Sequence, residues 1–215
     1  GTASSSTFLR GDNSWTAVGG ANVLGDLTDV SMDITNFADS LLIQTDSDGS
    51  APTTGTLSSA TGNIGIGKDV FSDLTSGTYN IAIGYDAGAN ITTGEYNTAL
   101  GRNALLTNLT GSSNVAIGFA ALKANTAGEN TAIGRQALMS NTSGASNQAI
   151  GYQSMYTNTT GINNNAQGYG TLKYNTTGAN NVAVGHNASN TNTTGFDNIA
   201  IGSLALLLNT TGQYN

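Results

Sequence analysis

Asn114-Val115-Ala116-Ile117-Gly118, followed by Ala121-Leu122, returns as Asn130-Thr131-Ala132-Ile133-Gly134, followed by Ala137-Leu138. Working outward from these copies, nine glycines fall in one column: Gly67, Gly84, Gly101, Gly118, Gly134, Gly151, Gly168, Gly185 and Gly202. Their spacing is 17 residues throughout, except for a 16-residue interval between Gly118 and Gly134. A second glycine follows each one ten residues later, from Gly77 through Gly144 to Gly212. The unit reads Asn-x-Ala-Ile-Gly-x-x-Ala-Leu-x-x-Asn-Thr-Thr-Gly-x-x and fills about seven-tenths of the chain. So strict a register implies stacked coils, and stacked coils give a rod or an extended surface rather than a catalytic pocket.

The residues before the first glycine alternate and are rich in β-branched types, which predicts a short strand. The aliphatic position immediately before it (Ile66, Ile83, Leu100, Ile117, Ile133, Ile150, Val184, Ile201) is expected in the core. A second inward column is expected four residues after the glycine: Phe71, Leu105, Leu122, Leu138, Met155, Leu172 and Leu206. Alternation turns the alanine column, Ala82 through Ala200, away from the isoleucines, toward a tight interface with another wall or another chain. Asn-Thr-Thr-Gly, as in Asn158–Gly161 and Asn175–Gly178, is turn chemistry in which glycine is expected at positive φ. The missing residue falls just after Gly128, in a turn. Two glycines and an Asn-Thr-Thr run leave no room for a helix pair in 17 residues. The fold class is therefore all-β, a parallel β-solenoid (β-roll) of about nine 17-residue coils spanning roughly 43 Å.

Composition fits. Charged residues are 9% of the chain, far below the usual quarter or so. In a solenoid a charge at a repeat position faces its own copy, whereas Asn, Thr and Ser can bond along the stack. Residues 1–60 hold seven Asp against Arg10, while 61–215 hold six acids and five bases. No basic patch supports nucleic-acid binding. No apolar run is long enough to insert in a membrane, and the first residues lack signal-peptide character. There are no cysteines. The pattern stops at Asn215, the first residue of a tenth unit, so the polypeptide is expected to continue. Gln167 stands in the aliphatic column and reads as a weaker copy, a bend, or an amide satisfied along the stack.

The organisation read from this is a connector over 1–60 and a repeat solenoid over 61–215. Within the connector, Ser40–Thr45 reads as a strand followed by a loop at Asp46–Pro52. Asn114–Gly118, with Asn181–Gly185 and Asn198–Gly202, resembles the β-roll head of trimeric autotransporter adhesins. With Ala121-Leu122 and Asn158–Gly161 included, the unit more closely resembles bacteriophage tail-fibre repeats. Gly1–Trp15 and Leu24–Val30 also look like phage-fibre segments. This resemblance implies a homotrimeric fibre on a virion, joined to other tail proteins and carrying a receptor-recognising tip. The alternatives are a bacterial cell-surface adhesin whose solenoid binds directly, an ice-binding solenoid presenting threonines, and a glycan-degrading spike.

Functional candidates are few. The column just after the glycine holds Lys68, Tyr85, Arg102, Phe119, Arg135, Tyr152, Tyr169, His186 and Ser203. In register these residues form cation–π pairs or an aromatic stripe for a surface glycan; packing between coils or chains is the competing account. His186 is the sole histidine and reads as a solvent-facing variable position. Asp46–Ser50 lacks the later Glu of a calcium loop, and Arg10-Gly11-Asp12 reads as a chance tripeptide. The Asn-x-Thr/Ser sites (Asn108, Asn141, Asn158, Asn175, Asn192, Asn209) are explained by turns. No cofactor, metal or catalytic constellation is implied, and the reading is non-enzymatic.

Overall fold

The structure is a computed structural model describing residues 59–215 and the short segments Thr7–Leu9, Trp15–Ala17, Val30–Ser31 and Leu41–Ile43. The segments β1 (Thr7–Leu9) and β2 (Trp15–Ala17) form an antiparallel pair. Segment β3 (Val30–Ser31) pairs antiparallel with β4 (Leu41–Ile43), the strand expected within Ser40–Thr45. The repeat supplies β5 (Ile64–Ile66), β6 (Ile81–Ile83), β7 (Thr98–Leu100), β8 (Val115–Ile117) and β9 (Thr131–Ile133). It continues with β10 (Gln148–Ile150), β11 (Asn165–Gln167), β12 (Val182–Val184) and β13 (Ile199–Ile201).

Strands β5 to β13 stack in parallel and in sequence order, like upon like, with Ala149 opposite both Ala132 and Ala166. The result is a β-solenoid of about eight turns, with no helix among the described residues. Strand β4 extends the same sheet, pairing Leu41 with Ile64. Pairing between coils continues beyond the strands. Met155 N–H donates to Thr171 O at 2.9 Å, Thr157 N–H to Lys173 O at 3.0 Å, and Thr159 N–H to Thr176 O at 3.0 Å.

The inward columns correct one expectation. The alanines Ala82 to Ala200 point into the coil and are buried, while the aliphatic column beside them lies outside. Ile66, Leu100, Ile133 and Ile201 are exposed, and Ile83, Ile117, Ile150 and Val184 half-buried. The reason is room. Most coils close on one large side chain, Leu105, Leu122, Leu138, Met155 or Leu172, while the first takes Val70, Phe71 and Leu74 and the second Ile91, all fully buried. Opposite that column only alanine fits: a Cβ on Gly88 would lie 3.4 Å from Ala82 Cβ. Gly88 itself makes way for Ile91, whose Cδ1 lies 3.0 Å from the same point, with Phe71 Cε1 at 3.4 Å.

Much of the rest of the interior is asparagine. Asn63, Asn80, Asn97, Asn114, Asn130, Asn147, Asn164, Asn181 and Asn198 form one buried column. Asn147 Oδ1 accepts from Asn164 N–H at 3.0 Å and from Asn164 Nδ2 at 3.1 Å, while Asn164 Nδ2 also donates to Gly178 O at 2.8 Å. The second column joins Asn158 Nδ2 to Asn141 Oδ1 at 2.7 Å and Asn175 Nδ2 to Asn158 Oδ1 at 2.8 Å. Each buried amide left unpaired would cost about 1–3 kcal/mol, so the ladders hold only while the register is kept.

Positive φ falls on the other glycine of the unit than the one expected. The first glycine of the unit takes positive φ, from 121° at Gly202 to 135° at Gly134. The second, in Asn-Thr-Thr-Gly, does not. Gly161 is required by close approach, because a Cβ would overlap Gly178 O and Asn158 Oδ1. The short coil also differs from expectation. Ala127, not Gly128, takes the place of Gly111: its carbonyl accepts from Asn125 Nδ2 and Asn114 Nδ2 at 2.7 and 2.9 Å. The residue is lost from the turn before Gly128, where the bonds of the first asparagine column can be kept.

Candidate functional site

The column after the first glycine stands on the solenoid surface, because the positive-φ glycine ends the strand and turns the next side chain outward. Lys68 Nζ and the Arg102 guanidinium lie 5.4 and 5.3 Å from the Tyr85 ring centroid, one coil to either side. Arg135 likewise lies 5.7 Å from Phe119 and 5.8 Å from Tyr152. Tyr152 stacks on Tyr169 at 5.2 Å, and Tyr169 on His186 at 5.3 Å. The structure therefore brings Lys68, Tyr85 and Arg102 into one group and Phe119, Arg135, Tyr152, Tyr169 and His186 into another. Ser203 closes the column without a ring.

These rings spend their faces on one another. Tyr169 is 53% exposed, but both of its faces meet neighbours, so the solvent reaches ring edges and the hydroxyl. Cation–π and stacked pairs of this kind contribute about 0.5–1.5 kcal/mol each. His186 is such a stacking partner, exposed and set on Tyr169.

A second surface feature follows from the short coil. Thr110, Gly111, Ser112, Ser113, Thr126, Gly128, Glu129 and Ala145 line an open groove of about 480 Å³. Glu129 is its one titratable lining residue, and Glu129 Oε2 accepts from Ser146 Oγ at 2.9 Å. Carboxylate-pair glycoside chemistry needs a second acid roughly 5–9.5 Å away; this lining has none. Among the described residues no three His, Cys, Asp or Glu side chains gather as metal ligands.

Other candidates take defined places. Asn108, Asn141, Asn158, Asn175 and Asn192 are buried, each with its amide nitrogen donating to the glycine carbonyl three residues on, which removes them as glycan acceptors. Thr142, Thr159, Thr176 and Thr193 donate their hydroxyls to the carbonyl of the threonine one coil on, at 3.0–3.1 Å. Arg10-Gly11-Asp12 and Asp46–Ser50 lie outside the described residues.

The surface that the repeat pattern did not reveal is the outer face of the sheet. From Ile64 and Ile66 to Ile199 and Ile201, two outward columns run its length without a charged residue. The signal was present in the alternation, but with the inward and outward sides exchanged. No family model, no curated protein and no solved structure matches the chain.

Proposed function

We propose that this chain is a non-catalytic structural element, the stiff shaft of a homotrimeric phage tail fibre that supports recognition of a host receptor. One observation carries the reading: a charge-free, largely aliphatic sheet face follows the whole solenoid on its outside. An apolar surface this continuous marks an interaction site, and identical rods can cover it mutually around a common axis. The continuous backbone ladder supplies stiffness, and the phage-fibre resemblance of the repeat and of Gly1–Trp15 supplies the setting.

A bacterial trimeric adhesin is the second reading, favoured by the exposed cationic and aromatic column from Lys68 to His186. Light scattering after size exclusion tests the common ground. A mass near three times 21.7 kDa, about 65 kDa, is expected for closed threefold symmetry; a stable monomer overturns the shaft. An antibody against residues 61–215 then separates the two settings by labelling virions or cell surfaces.

A further inference from the structure

We propose that Gln148, Asn165 and Gln167 set the axial register in which copies of this chain pack against one another. The inference rests on the homotypic assembly above and adds the residues that give it specificity. Strands β5 to β13 present eighteen outward positions, of which fifteen are Ile, Val, Leu or Thr and none is charged. The other three are these amides, together in β10 and β11. They touch one another: Gln167 Nε2 donates to Asn165 Oδ1 at 3.1 Å and to Gln148 Oε1 at 3.4 Å. Gln148 Nε2, Asn165 Nδ2 and Gln167 Oε1 keep no partner among the described residues, and all three side chains are half-buried.

The occupant argued for is a second copy of the same chain. Eight steps of about 4.8 Å and a strand with its flanks about 15–20 Å wide give a face of very roughly 600–800 Å². That approaches the area each partner buries in a standard interface, about 800 Å². A uniformly apolar partner would strand three amides. A copy related by an axis parallel to the stack brings amides to amides and aliphatics to aliphatics at every height, with no further requirement. Slipping one copy by two coils sets the amides against isoleucine, valine and a single threonine, Thr131, and leaves most of their donors and acceptors unpaired. A few polar groups in an otherwise apolar seam are the best-attested way of fixing register.

The test uses the full chain, which has no cysteine of its own. Thr98→Cys and Thr131→Cys mark one outward column two coils apart, about 9.6 Å in register and beyond the roughly 7 Å Cα limit for a disulfide. The two variants are co-refolded, oxidised and analysed by mass spectrometry. Same-position disulfides are expected to exceed mixed ones by about tenfold, the ratio falling to within about threefold when Gln148, Asn165 and Gln167 are all Val. Gln167→Ile alone, which copies Ile150 of the preceding coil, should fall between and guards against a folding failure of the triple variant. If both backgrounds assemble with equal mixed disulfide, or without a dominant same-position disulfide, the register role is overturned while assembly stands. If the unmodified chain is monomeric, both fall.

Discussion

Asn108 and Asn125 occupy successive rungs of one asparagine column, yet no hydrogen bond joins them. Asn125 Nδ2 donates instead to Ala127 O at 2.7 Å, and Asn108 Oδ1 is left buried and unpaired. The two coils before Asn108 fill this position with Leu74 and Ile91, both fully buried. Asn108→Leu is therefore expected to stabilise the protein by about 1–2 kcal/mol, removing an orphan acceptor and adding apolar burial. Gly111 O keeps its bond from Asn97 Nδ2 at 2.9 Å, so nothing new is stranded. Asn158→Leu has the opposite sign, a loss of about 2–4 kcal/mol, because Asn141 Oδ1 loses its 2.7 Å donor. Denaturant midpoints of the two variants, moving in opposite directions, check this.

The same defect has a second remedy. One residue inserted between Gly128 and Glu129 lets Gly128 take the place of Gly111, with Asn125 Nδ2 returning to Asn108 Oδ1. Thermal midpoint should rise. Combined with Asn108→Leu the gains should not add, since both remove one orphan atom and neighbours that share a partner couple. Additive gains would mean that the short coil costs stability somewhere other than at Asn108.

Legibility in the sequence followed chemistry that repeats without ambiguity. The period, the parallel stack and the Phe71–Leu172 column could be read because glycine and leucine have few other uses at that spacing. The aromatic and cationic column was also legible as a column, and Tyr85, Arg135 and Tyr169 pair along it. Alternation alone could not say whether Ala149 or Ile150 turns inward; that depends on an interior too narrow for isoleucine opposite Met155. Asn158 and Asn175 read as turn residues because amides are rarely core, and only the stack gives each a partner. Nor does composition reveal that Leu105, Leu122 and Leu138 sit at φ of 53°, 50° and 48°. The left-handed backbone costs about 1–2 kcal/mol per residue, which burying a leucine offsets. The amide cluster around Gln167 was visible only as an exception, since its meaning lies in which face it occupies.

Gly151 and Gly202 separate backbone strain from steric overlap. Both have positive φ, 134° and 121°. A Cβ at Gly151 would overlap Gly168 O in the next coil, whereas one at Gly202 meets nothing within 4 Å. Gly202→Ala should cost only the strain, about 1–3 kcal/mol. Gly151→Ala must also push adjacent coils away from each other and should exceed about 4 kcal/mol. Circular dichroism on heating is enough to rank them, and equal losses would show that overlap is absorbed by the stack.

Tyr169 tests what the stripe does for the fold. Tyr169→Ala removes the contacts with both Tyr152 and His186 and should cost about 1–2 kcal/mol. Tyr169→Phe keeps the ring, as Phe119 does in the same column, and should be close to neutral. If the alanine variant is as stable as the parent, the column is free of packing duty and its exposure points to a ligand.

Asp86 gives the pH dependence its direction. Burial raises its pKa above the ordinary carboxylate value, and Asp69 one coil back raises it further, against smaller lowering by Lys68 and Arg102. The folded state therefore holds the proton more tightly than the unfolded chain does. Between the unfolded pKa of 3.8 and the raised folded value, stability falls as pH rises, and the penalty is fully present above that value. Asp86→Asn, which copies Asn103 and Asn187 in the same column, removes the ionised group. It should raise the thermal midpoint at pH 7 by a small amount, a fraction of a kcal/mol after solvent screening. Below the unfolded pKa, where both states are protonated, the variant and the parent should converge. A gain that persists undiminished at pH 3 would assign it to the amide's own contacts rather than to the charge.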